Sequence, residues 1–250
     1  KMSKSLGNSP DALKLIDQFS ADGVRVGLML SSAAGNDLLF DTSLCDQGKS
    51  FSNKIWNSFR LVKGWKVIKK NQPSHCSIAV EWYNQKFNSV LSEINDHFNK
   101  FRISDALMAV YKLIWDDFCS VFLEIVKPNY GESMDSKTFE QIVSIFEKNL
   151  IIIHPFMPFI SEEIWHLIEK RSKENAIIIA EWPSSTNSKD KDLIQDFESL
   201  LKVISGIRNF RKKHQVSFKD SLELSILNND NFSADYDSII SKLCNISSIH

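Results

Sequence analysis

The sequence holds 250 residues, 43% hydrophobic and 24% charged, which allows one large globular domain or two small ones. A formal net charge of −1 excludes a uniformly cationic nucleic-acid binder, and no apolar run approaches the length that crosses a bilayer. The four cysteines, Cys45, Cys76, Cys119 and Cys244, are far apart and form no C-x-x-C pair, which argues against a zinc site or a disulfide framework and for reduced thiols in a cytosolic protein.

Gly (8) and Pro (6) are scarce, so long helices are expected rather than many short strands. Residues 1–10, KMSKSLGNSP, read as a polar loop that starts on Lys1 rather than Met, suggesting a piece of something longer; their polarity does not fit a signal peptide. Ser9 or Asp11 can cap the helix that follows, with Pro10 near its first turn. Short helices are predicted over 11–19 and 21–31, then a turn at 34–37 and an extended LLFD (38–41). From about Thr42 a long helix carries Phe51, Ile55, Phe59 and Val62 and is expected to end near Asn71-Gln72-Pro73. Helices over 78–98, 103–127 and 135–153 follow, the middle one stopped by Pro128 and Gly131. A shorter helix is predicted at 157–171, a brief extended run at 176–180, a polar linker at 184–190 and a helix at 190–214. SLELSIL (221–227) alternates like a strand, and 233–249 reads as a last helix. The fold class is therefore mainly α: an antiparallel helix bundle with a short helical linking segment before it and a small α+β extension after it.

Charge is unevenly spread. No acid falls between Asp46 and Glu81, where Lys49, Lys54, Arg60, Lys63, Lys66, Lys69 and Lys70 lie. None falls between Glu198 and Asp220, where Lys202, Arg208, Arg211, Lys212, Lys213 and Lys219 lie. Two one-signed basic segments in a neutral chain point to a phosphate-contacting surface; solvated helix faces are the alternative. His75-Cys76 has no companion at ligand spacing, so no metal is expected. His154, at a helix break before Pro155, reads as packed, and Glu162-Glu163 as acids at a helix start that Ser161 caps.

The chemistry-bearing motif is Lys1-Met2-Ser3-Lys4-Ser5. Two ammonium groups on a small-residue loop can swing onto a polyphosphate and stabilise charge developing on it. KMSKSLGN resembles the signature loop of class I aminoacyl-tRNA synthetases. The text after it, through Ala21-Asp22-Gly23-Val24-Arg25, resembles the valyl, isoleucyl and leucyl group, and so does HPFMPFISEEIW (154–165). AAGNDLLFD (33–41), NKIWNSFRLV (53–62) and ISGIRNFRKKHQVSFKDSLEL (204–224) resemble the valyl branch. Ala33-Ala34 departs from the proline expected before that glycine, which affects a turn only.

The resemblance implies that Lys4 and Lys1 act catalytically, with Lys4, Ser3 and Ser5 on the phosphates of ATP, a substrate accompanied by Mg2+ in the parent enzyme. Residues 1–45 would carry the loop and link to the catalytic domain, 46–183 would form the helical anticodon-binding domain, and 184–250 an incomplete C-terminal extension. Candidate tRNA contacts are Lys54, Asn57, Arg60 and Lys63 on one basic helix, and Arg208, Arg211 and Lys212, joined by Lys213, on phosphates. Phe51 and Phe59 fit the core stripe of the same helix. The expected partners are valine-specific tRNA, with ATP and valine in a cytoplasmic, monomeric parent; the catalytic and editing parts are not in this text, so the piece alone should not aminoacylate. Two alternatives stand: the same region of an isoleucyl or leucyl enzyme, and a helical interaction module without an RNA role, which would retain no tRNA at low salt.

Overall fold

The computed structural model describes residues 10–32, 40–185, 191–226 and 234–250. In chain order come α1 (Ala12–Ser31), α2 (Thr42–Lys63), β1 (Val67–Ile68), α3 (Ser74–Asn99) and α4 (Ile103–Lys112). α4 continues through a π-helical stretch, Leu113–Phe122, into α5 (Leu123–Val126). Then follow β2 (Met134–Asp135), α6 (Ser136–Ile153), α7 (Pro158–Ile168), a 3-10 turn (Ile177–Ile179), α8 (Lys191–Lys213), β3 (Leu222–Leu224), α9 (Asp237–Cys244) and β4 (Ile246–Ile249). Among the described residues, no helix is long and apolar enough to cross a membrane.

The mainly helical expectation holds, and most predicted helices lie within a few residues of their expected positions. Cys76, near the start of α3, lies with its thiol 3.9 Å from the Val126 carbonyl at the end of α5, as antiparallel neighbours require. The π stretch moves hydrogen bonds from i−4 to i−5 partners, yet Leu113, Ile114, Phe118, Cys119, Phe122 and Leu123 all stay buried. That is why a continuous helical pattern is visible there in the sequence.

The two short helices expected at 11–19 and 21–31 are present, joined within α1 at Ser20, whose φ of 67° and ψ of 161° break the helical path. Three local expectations need correction. α2 stops at Gly64 instead of running to about 71, because Val67 and Ile68 pair in parallel with Met134 and Asp135. The run at 176–180 contains a 3-10 turn. The stretch predicted as a last helix splits into α9 and β4, and β4 is the parallel partner of β3, with an irregularity at Leu222/Glu223. The turn at 34–37 and most of LLFD lie outside the described residues.

Backbone contacts divide the chain into two units, one of residues 1–64, 90–119 and 143–185, the other of 65–89, 120–142 and 186–250. The boundary expected at 45/46 falls inside α2. In the first unit Phe146 meets Phe118 edge-on at 5.2 Å and Phe59 at 6.5 Å, all three buried. In the second, Trp82 stacks on Phe197 with ring centroids 4.2 Å apart, and Tyr83 lies against Phe122 at 5.1 Å. Each such side chain contributes roughly 1.5–3 kcal/mol before entropy is subtracted.

Candidate functional site

Lys1, Ser3, Lys4 and Ser5 lie outside the described residues. The element that follows them is α1. The Asp11 carboxylate caps it by accepting from the Leu13 N–H at 3.0 Å, and past the bend the Ser20 hydroxyl accepts from the Gly23 N–H at 3.2 Å. This sets the pitch of the Asp22–Arg25 turn.

That turn grips a second motif. Asp22 is 4% exposed, and its carboxylate accepts from the Phe159 and Ile160 N–H groups at 3.2 and 2.8 Å, which caps α7 from outside its own chain segment. Arg25 donates to the Pro155 and Phe156 carbonyls at 2.9 and 3.2 Å. Burial raises the Asp22 pKa, opposed by the Ile160 and Phe159 N–H groups and then by Arg25 and His154. Ser161 is therefore not the cap: it is fully buried, and its hydroxyl donates to the Met157 carbonyl at 2.7 Å. With that proton committed, the His154 Nδ1, 2.8 Å from the Ser161 oxygen, is the donor. Burial lowers the His154 pKa, which suits the packed role read from the sequence. The Asp22–Arg25 segment and the HPFMPF turn are thus bound together by side-chain to backbone hydrogen bonds.

α1 also fixes α2. A Cβ at Gly27 would lie 2.5 Å from the Cys45 sulfur and 2.7 Å from its nitrogen, and one at Gly48 would lie 2.7 Å from the Gly23 carbonyl. Only glycine permits this backbone approach. One stripe of α2, including Cys45, Phe51, Ile55, Phe59 and Val62, is buried, so its basic side turns outward. Asn57 and Arg60 are exposed, and their side chains have no hydrogen-bond or ionic partner among the described residues. Lys54 holds its ammonium 5.5 Å above the Trp115 ring, which stacks on Tyr111 at 5.5 Å and 12°. Lys63 is exposed but tethered, donating to the Leu167 carbonyl at 2.8 Å with Phe59 beneath it. Phe51 is fully buried against Tyr111 at 4.6 Å. The half-buried Tyr111–Trp115 pair beside Lys54 was missed in the sequence because both residues also fit the apolar stripe of their helix.

The second basic segment, at the end of α8, does not behave as one group. Arg208, Lys212 and Lys213 are exposed, with Arg208 donating to the Leu243 carbonyl at 3.3 Å. Arg211 corrects the expectation: it is 4% exposed, and its guanidinium donates to the Ser217, Asp220, Cys244 and Asn245 carbonyls at 2.8 to 3.1 Å. A cation so enclosed reaches no phosphate. In the same unit Lys242 donates to the Ile125 and Lys127 carbonyls at 2.7 and 2.6 Å and lies 3.4 Å from the His75 Nε2. Burial, then Lys242, lowers the His75 pKa to about 4. Among the described residues, no cluster of three His, Cys, Asp or Glu side chains could hold a metal ion.

Residues 80–226 match the family described as the anticodon-binding domain of tRNA ligase. The whole chain aligns at 56% identity with the valine–tRNA ligase of Christiangramia forsetii and at 47% with that of Phocaeicola vulgatus, covering 28% of each relative. Over 87% of its length it is 34% identical to the valine–tRNA ligase of Fusobacterium nucleatum, covering 26% of that protein. The chain thus spans just over a quarter of the length of these relatives. Among solved structures it resembles LeuRS in a ternary complex with tRNA and LeuAMS from Agrobacterium radiobacter K84, with a TM-score of 0.52 at 18% identity over 78% of this chain and 23% of that one. At that identity the likeness concerns the fold alone.

Proposed function

The chain belongs to the family of anticodon-binding domains of tRNA ligases, and we propose that it is the tRNA-contacting portion of a valine–tRNA ligase. The observation that carries the reading is the outward side of α2: unpartnered Asn57 and Arg60, with Lys54 over the Tyr111–Trp115 pair. Splayed anticodon bases are recognised by stacking on aromatic or guanidinium planes and by hydrogen bonds to their edges, and this helix supplies both. Lys54 and Lys63 add charge toward the sugar–phosphate backbone, with Lys63 the less free to move because of its Leu167 tether. Valine relatives that align over the whole chain favour this reading over an isoleucyl or leucyl one.

In this reading residues 1–45 link the catalytic region, 46–183 are the helices that meet the anticodon, and 184–250 belong to a C-terminal extension. The parent enzyme, a cytoplasmic monomer, takes ATP, valine and valine tRNA as substrates, with Mg2+ accompanying the ATP. Lys1 and Lys4 meet the ATP phosphates, assisted by Ser3 and Ser5. Asp22 and Arg25 hold the segment that follows this loop against the turn at 155–160, so a shift of the helical region on binding tRNA is felt at the loop. The chain alone, without its catalytic region, charges no tRNA.

Arg60→Gln and Asn57→Ala test the interface. Both side chains are exposed, so thermal melts should stay unchanged while affinity for valine tRNA falls by about fivefold or more, and Arg60→Gln should also flatten the salt dependence by about one phosphate. Unchanged affinity in both variants would remove α2 from the interface.

A further inference from the structure

α8 inverts the usual burial rule at its C-terminal end. Its inward stripe runs through Phe197, Leu200 and Ile204 and reaches Arg211, the charged residue of the set, which is enclosed. Its neighbour Phe210 is 52% exposed, and Phe218, in the turn that follows, is 58% exposed. Each ring has a neighbour on one side. Phe210 lies on His214 with centroids 4.4 Å apart, and Phe218 lies 5.9 Å from the Arg211 guanidinium. The turn itself is fixed by Gln215 at φ 55°, by the Val216 N–H donating to the Arg211 carbonyl at 2.9 Å, and by the Asn245 amide donating to the Phe218 carbonyl at 2.8 Å. Lys212 and Lys213, which follow Phe210 closely in the helix, and Lys219, next to Phe218 in the chain, are exposed.

We propose that Phe210 and Phe218 form a stacking platform for unpaired RNA bases, with Lys212, Lys213 and Lys219 on the adjoining phosphates. The charge pattern chooses the partner: exposed rings with exposed lysines adjoining them in the chain match a single strand, which offers both phosphate charge and open base faces, whereas a duplex hides those faces. Arg211 is the positioning residue, because its four carbonyl bonds lock the turn that carries Phe218. The inference rests on the RNA-binding reading above and extends it to a surface separate from α2 in sequence.

The test measures binding of the chain to a labelled single-stranded RNA of about twelve nucleotides and to the same strand annealed to its complement, across salt concentrations. Phe210→Leu and Phe218→Leu should each weaken single-strand binding roughly 5- to 100-fold with an unchanged salt slope and unchanged melting temperature, and Phe→Tyr at either position should restore it. Lys212→Gln should instead lower the slope by about one. Leucine variants that bind the single strand like the parent chain, or that lose duplex binding equally, overturn the platform while leaving tRNA binding intact. A parent chain that binds neither these RNAs nor tRNA overturns the underlying reading as well.

Discussion

Asp22 and Arg211 are charged side chains spent on structure. Asp22 satisfies two N–H groups at the start of α7 that no residue of that helix reaches, so Asp22→Ala leaves both without that acceptor in a part-buried setting. The expected cost is about 1–3 kcal/mol in urea denaturation, and Asp22→Asn, which keeps an accepting oxygen, should cost less. Arg211→Gln loses most of four carbonyl contacts and should destabilise by about 2–3 kcal/mol, whereas Arg208→Gln, at an exposed position, should leave the melting temperature unchanged. A loss of tRNA affinity in Arg211→Gln with full stability would show that its charge faces RNA after all. Nothing in the sequence separates Arg211 from Arg208, Lys212 and Lys213: a basic run reads as one solvated face, and only the carbonyls of residues 217, 220, 244 and 245 reveal which member turns inward. The exposure of Asn57 and Arg60 was legible because they fall off the apolar stripe of α2; Lys63 falls there too, but its tether to Leu167 comes from residues far along the chain.

At the scale of elements, the long helices were readable because their apolar residues keep a helical period and because Pro128, Gly131 and Pro155 punctuate them. β1, β2 and β4 were not, since two to four residues carry too little pattern and are defined by partners distant in sequence. The glycines of α1 and α2 read only as weak helix formers, although the crossing depends on them. Gly27→Ala should destabilise by about 1–3 kcal/mol despite alanine's better helix propensity, because its Cβ meets the Cys45 backbone as well as its sulfur. Gly206→Ala in α8, where a Cβ has nothing within 4 Å, should stabilise by about 0.5–1 kcal/mol, and chemical denaturation of the pair measures the contrast. The joint of α3, α5 and α9 adds a pH dependence. His75 must stay neutral to accept from Lys242; Asp135 favours its protonation, but burial and Lys242 outweigh that, and its folded pKa is about 4 against 6.5. Its folded pKa being depressed, its contribution is present above pH 6.5 and is lost as pH falls through about 4. Comparing melting temperatures of the parent chain and His75→Gln over that window should show a shallower decline in the variant; parallel curves would mean that His75 is not the group titrating.

For the whole molecule, the family is set by residues 80–226 and the relatives by alignment along the full chain, while the residues proposed to meet RNA are chosen by exposure and chemistry. Lys1 and Lys4 lie outside the described residues, and the proposed RNA contacts fall on α2 and at the end of α8. The central claim is that this helical scaffold reads an anticodon, and it is tested most directly by the affinity of the chain for valine tRNA against a copy in which only the anticodon has been exchanged. The account predicts binding weaker by about tenfold or more for the exchanged copy, with similar salt slopes because the phosphates are unchanged. Equal affinity for the two RNAs would contradict it.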